Sequence, residues 1–226
     1  MAETTALVGT APHVRTRADS PPGRFWRDVA YLLAGLPIGV VAFVLAVTGF
    51  TLGVGTVVVW IGLPVLVGTL VVARWFAATE RWRVASTTGR PLPAPVYRRV
   101  AGDGPARHLR VLLDPQAWRD LLHMVLAFPL RVVGFVVATV WTIGGFGGLT
   151  YALWSWSLPR GEDNVGLAEL MFGTSSRLAD VGVHTGIGVV LLLTAVPALR
   201  ALTATQAGLA RLLLTAPGAG PTSSAR

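Results

Sequence analysis

Few side chains in this sequence could do chemistry, and their types and spacing point to recognition, not to bond-making. There is no cysteine, which excludes disulfides and thiol chemistry. All 19 basic residues are arginine, so the lysine of a phosphate-binding loop is missing, and the glycines of 144–148 (GGFGG) precede no such residue. His13, His108, His123 and His184 share no metal-ligand spacing, and no metal site or other cofactor is expected. Serine-nucleophile and zinc-protease motifs are absent, as are paired carboxylates inside the apolar stretches. The chain therefore reads as a non-enzyme.

Three groups of residues remain as candidates. Arg131 is the one charge inside an otherwise apolar stretch, about 16 Å along a straight helix from Asp120. It is either a functional charge near mid-bilayer or, if Pro129 bends the helix, a side chain that snorkels to the inner interface. A candidate sensing surface comprises Trp154, Trp156, Arg160, Glu162, Asp163, Glu169, Arg177, Asp180 and His184, where His184 could titrate with external pH; the alternative is a lid lying on the bilayer. The third group is a doubled tetrad, FWRD at 25–28 and AWRD at 117–120. Trp26 and Trp118 suit the interface, Arg27 and Arg119 can reach phosphate, and Asp28 and Asp120 favour helix N-termini. A further reading pairs Arg27 with Asp120 and Arg119 with Asp28.

The elements that position these residues are membrane helices. Only 13% of residues are charged. No charge interrupts Val29 to Ala73 or Val132 to Pro159, and Val181 to Leu199 has His184 as its only titratable group. A single helix over the first run would be roughly 68 Å long, more than twice a hydrocarbon core of about 30 Å. It must therefore be a hairpin, with its turn placed in Gly49 to Thr56. Spans are expected near 30–50, 55–75, 121–144 and 181–202, with bends at Pro37, Pro64, Pro129 and Pro197. The fold class is all-α, an integral membrane protein of four transmembrane helices with cytoplasmic helix extensions. Arginines cluster before the first span, between the second and third, and after the fourth, which predicts cytoplasmic termini and a cytoplasmic central loop in the plasma membrane. That topology also accounts for the formal charge of +8, so no nucleic-acid partner is implied.

The doubled tetrad belongs to a longer internal repeat. With Trp118 laid on Trp26, Pro129 falls on Pro37, Phe135 on Phe43 and Gly145 on Gly53. Repeat one covers 25–86 and repeat two 114–215, with a Pro-rich, basic linker at 87–113 and an outer loop at about 145–180. The domain is expected over 21–215, with disordered tails at 1–20 and 216–226. Because two crossings separate equivalent points, the two hairpins are expected to face the same way, side by side. Small-residue pairs such as Gly35/Gly39 and Gly182/Gly186 allow close helix packing and a possible homodimer.

The stretches FWRDVAYLLAGLPIGVVAFVLAVTGFTLGVG, WIGLPVLVGTLVVARWFAATER, PAPVYRR and DPQAWRDLLHMVLAFPLRVVGFVVA, ending in WSWSLP, resemble the four-span sensor domain of actinobacteria, over about residues 20 to 215. That domain commonly precedes the catalytic part of two-component sensor histidine kinases. The resemblance implies a signal-input module in the plasma membrane. It departs from the kinase form: after residue 215 the sequence carries no phosphoacceptor helix and no ATP-binding domain, so the expected output is a separate signalling protein such as a histidine kinase. Arg131 also stands where the resemblance implies a small residue. Beside this sensor-like reading stand an accessory subunit or small permease of a transport system, and a passive scaffold whose arginines bind membrane lipid.

Overall fold

The computed structural model describes residues 21–95, 97, 109–158, 166–173 and 176–215. Among them there is no strand. Helix α1 (Pro21–Gly55) and helix α2 (Gly62–Thr88) form hairpin one. Helix α3 (Pro115–Thr139) continues through a π turn (Val140–Gly144) into α4 (Gly145–Leu149), followed by the short helices α5 (Tyr151–Trp154) and α6 (Leu167–Phe172). Helix α7 (Arg177–Leu214) returns alongside α3 to complete hairpin two. Four helical stretches, Gly23–Gly55, Gly62–Thr88, Pro115–Leu149 and Arg177–Leu214, are long and apolar enough to cross a membrane. The expected tails lie outside the described residues.

The elements start and stop for local reasons. Asp114 caps α3, its carboxylate accepting from the Gln116 amide at 3.1 Å, and Pro115 follows at the first helical position, where a missing N–H costs nothing. Gly89 ends α2 in the left-handed conformation, φ 68°, that favours glycine. Pro37, Pro129 and Pro197 lie inside helices. Pro64, expected at a bend, instead sits in the first turn of α2, where no intrahelical bond is lost. The turn of hairpin one also differs from the expected Gly49–Thr56. Helix α1 runs on to Gly55 because its glycines serve packing: Gly49 lies against Thr69 and Gly53 against Leu66 of α2.

Helices α1 and α3 make the longest interface, and their chain directions oppose. Phe50 meets Trp118 edge-on, Phe43 stacks on Phe128 at 4.5 Å, Gly39 faces Arg131, and Leu32 lies beside Gly134. Small residues make this close crossing possible, with Gly39, Ala42 and Ala46 on α1 and Ala117, Gly134 and Ala138 on α3. The turn at 56–61 and the α4–α6 end of hairpin two consequently point away from one another. This corrects the expected same-facing, side-by-side hairpins. Two buried clusters flank the crossing: Val29, Leu32, Val84, Ala138 and Leu199 on one side, and Ala42, Ala46, Leu70, Ala73, Leu121 and Met124 on the other.

Candidate functional site: a buried ionic node

At the crossing, three helices contribute to one carboxylate. Glu80 of α2 is 4% exposed, and Arg131 of α3 is 3% exposed. Glu80 Oε1 accepts from the Tyr31 hydroxyl of α1 at 2.7 Å. Its Oε2 accepts from Arg83 Nη1 and from Arg131 Nη2, each at 2.8 Å. Arg83 Nη2 donates to the Tyr31 carbonyl at 2.8 Å, and its guanidinium lies 4.6 Å from the Tyr31 ring centroid. His123, also buried, lies close enough to feel the charges of Glu80, Arg131 and Arg81.

Each member is placed by its helix. Glu80 and Arg83 are three residues apart on α2 and share a face. Arg131 extends along α1 because position 39 is glycine: a Cβ there would stand 2.7 Å from Arg131 Cδ. One carboxylate thus serves two guanidiniums, an arrangement in which the acid is indispensable, since its loss leaves two cations buried and uncompensated. The node binds α1, α2 and α3 to one another by charge.

A second polar group ties the central linker to the end of α7. Arg74 pairs with Asp114, and its guanidinium lies 4.6 Å from the Tyr97 ring centroid. Tyr97 donates to Asp120 Oδ2 at 2.9 Å. Burial, with the Asp120 charge adding, holds that hydroxyl above its ordinary range and keeps it a donor. Gln116 Nε2 donates both to Asp120 Oδ1 at 2.9 Å and to the Leu213 carbonyl at 3.0 Å, while Arg119 Nη2 reaches the Leu212 carbonyl at 3.2 Å. The last turn of α7, whose carbonyls have no helical partners, is therefore held by the start of α3.

The doubled tetrads play unlike parts. Asp120 takes its bonds from Tyr97 and Gln116, and Arg119 goes to α7, not to Asp28. Asp28 is flanked by Arg200 and Arg27. Trp26 is exposed, whereas Trp118 donates to the Leu112 carbonyl at 2.8 Å.

Of the expected sensing surface, Arg160, Glu162 and Asp163 lie outside the described residues. Asp180 and His184 come together: the His184 ring stacks on Tyr151 at 3.9 Å, its Nδ1 lies 2.9 Å from the Asp180 carbonyl, and Asp180 Oδ1 accepts from the Ala168 amide at 3.0 Å. Arg177 reaches Ser155 at 3.4 Å. Trp154 and Trp156 instead donate to the backbone carbonyls of Gly147 and Leu153, and Glu169 points outward from α6.

The sequence reading found Arg131 and missed its partners. Glu80 lies in a segment read as a cytoplasmic extension of the second span. The available signal was that Glu80 is the sole acid in α2, three residues before an arginine.

Four helices long and apolar enough to cross a membrane make this a multi-pass membrane protein. The family described as "Putative sensor" matches residues 31–214, and the chain belongs to that family. No curated protein and no solved structure matches it.

Proposed function

We propose that this protein is a sensor-like signalling module that transmits a change in the packing of its two hairpins to a separate cytoplasmic partner. The observation that carries this reading is the Glu80 node. A displacement of hairpin two against hairpin one must move Arg131 relative to Glu80 and Tyr31, so the node couples the crossing to α2 and to the linker that follows it. Asp120 and Gln116 then connect that linker, through Tyr97, to the final turn of α7. Signalling requires two packings that a stimulus favours unequally; in this reading the second packing is one in which Arg131 has left Glu80.

A buried set of Tyr31, Glu80, Arg83, His123 and Arg131 also suits a second reading, a subunit of a transport system, since permeases place polar groups inside the bilayer. The test is photo-crosslinking from Arg90 or Arg211 in native membranes, then reconstitution of the captured protein. A histidine kinase whose autophosphorylation differs between the wild-type chain and Glu80→Gln supports signalling. An ATPase partner supports transport, and a kinase indifferent to Glu80→Gln removes the role assigned to the node.

A further inference from the structure

We infer that hairpin two is hinged at the level where the π turn Val140–Gly144, which continues α3, lies opposite Pro197 of α7, so that the half bearing α4–α6 swings against the half bearing Arg131. The hinge stands apart from the signalling reading; only its use, carrying a movement of the far half to Arg131, rests on that reading.

Two breaks in the helical ladder meet at that level. The π turn closes its bonds five residues back, so it holds one residue more than an α-helical turn and the ladder falls out of step with its flanks. There the Ala138 carbonyl accepts the Thr142 hydroxyl. In α7, Pro197 has no N–H to return to the Leu193 carbonyl, and its ring crowds that carbonyl. The breaks are neighbours in space: Trp141 Nε1 donates to Thr194 Oγ1 at 3.0 Å, one turn from Pro197. Helices bend at breaks of these two kinds. Hairpin one has no such pair. Helix α1 stays α-helical through 48–52, the positions the repeat lays under the π turn, and the only proline of α2, Pro64, is in its first turn.

On either side of that level the hairpin is closed tightly. Beyond it, the backbones of α4 and α7 touch at glycines: a Cβ at Gly188 would stand 2.4 Å from the Leu149 amide nitrogen, and one at Gly148 2.7 Å from the His184 carbonyl oxygen. Asp180 of α7 fastens α6 to this pair through the Ala168 amide. Before it, Gln206 Nε2 donates to the Leu130 carbonyl at 3.0 Å and Gln116 Nε2 to the Leu213 carbonyl, while Arg131 is bonded to Glu80 of hairpin one. Pro129 also interrupts α3, but it lies within the crossing, between Phe128 stacked on Phe43 and the bonded Arg131, where packing holds the helix. Two closed bodies joined where both connecting helices are broken make a hinge.

Because the chain has no cysteine, a pair of introduced thiols reports one distance. Spin labels at Leu153→Cys and Leu122→Cys, both exposed, span the hinge, whereas labels at Leu122→Cys and Ala204→Cys both lie in the near half. Pulsed electron resonance on the full-length protein in lipid nanodiscs should give a distance distribution at least twofold wider for the spanning pair than for the near pair. Deleting the exposed Ile143 returns the π turn to α-helical register and keeps the glycine contacts beyond it in place. Combined with Pro197→Ala, the deletion should narrow the spanning pair to the width of the near pair. Pro197→Ala alone leaves the π turn intact and should give part of that narrowing, so the question is answered even if the deletion does not fold. A spanning pair as narrow as the near pair in the wild type, or one whose width ignores both variants, would overturn the hinge. The measurement needs no partner, so a kinase indifferent to the node removes the signalling reading and leaves the hinge standing.

Discussion

A single carboxylate, Glu80, is bonded to side chains of three helices, and its removal has consequences that neighbouring substitutions do not share. Glu80→Gln leaves Arg83 and Arg131 buried without a counter-charge, and a loss of about 3–5 kcal/mol of stability is expected. Denaturant titration of the purified protein in micelles measures it. Arg131→Met in the Glu80→Gln background removes one orphaned cation and should recover part of the loss; an unchanged midpoint in the single variant would contradict the node. Gly39→Ala tests the same site sterically. Its methyl would crowd Arg131 Cδ, so a cost of about 1–3 kcal/mol is expected, relieved when Arg131 is shortened to alanine.

At the scale of elements, the two halves of α7 differ in how they are held. Its C-terminal turn depends on Gln116 and Arg119 reaching the Leu213 and Leu212 carbonyls. The double variant Gln116→Ala, Arg119→Ala should therefore speed amide hydrogen exchange in residues 208–214 without altering exchange in the middle of α1; exchange at the wild-type rate would show that these bonds do not hold the helix end. Asp114→Ala removes both the α3 cap and the partner of Arg74, and should cost at least the roughly 0.5–2 kcal/mol of a lost cap, read by the same denaturant titration. Helix positions of this kind were legible in the sequence. Asp114–Pro115 announces a helix start, and charge-free stretches bounded by arginine announce spans. The turn of hairpin one was misplaced by a few residues because Gly49 and Gly53 look like breakers until Thr69 and Leu66 are seen packed against them.

At the scale of the whole molecule, hydropathy is silent about direction. An apolar stripe such as Gly39, Ala42 and Ala46 fits a partner helix running either way, so the repeat suggested same-facing hairpins while the contacts run from Leu32–Gly134 to Phe50–Trp118. The node was hidden for a related reason: Tyr31, Glu80 and Arg131 are distant in sequence, and only the crossing brings them together. Arg131 alone stood out, as the single charge in its span. The most direct test of the head-to-tail crossing is a distance between spin labels at Val58→Cys and Leu149→Cys, measured by pulsed electron resonance on the otherwise cysteine-free chain. Each site lies about 18 residues from the Gly39–Arg131 contact, in opposite directions, so a separation on the order of 50 Å is expected. Same-facing hairpins packed at about 10 Å between helix axes would bring the labels to within roughly 20 Å, and that result would contradict the crossing.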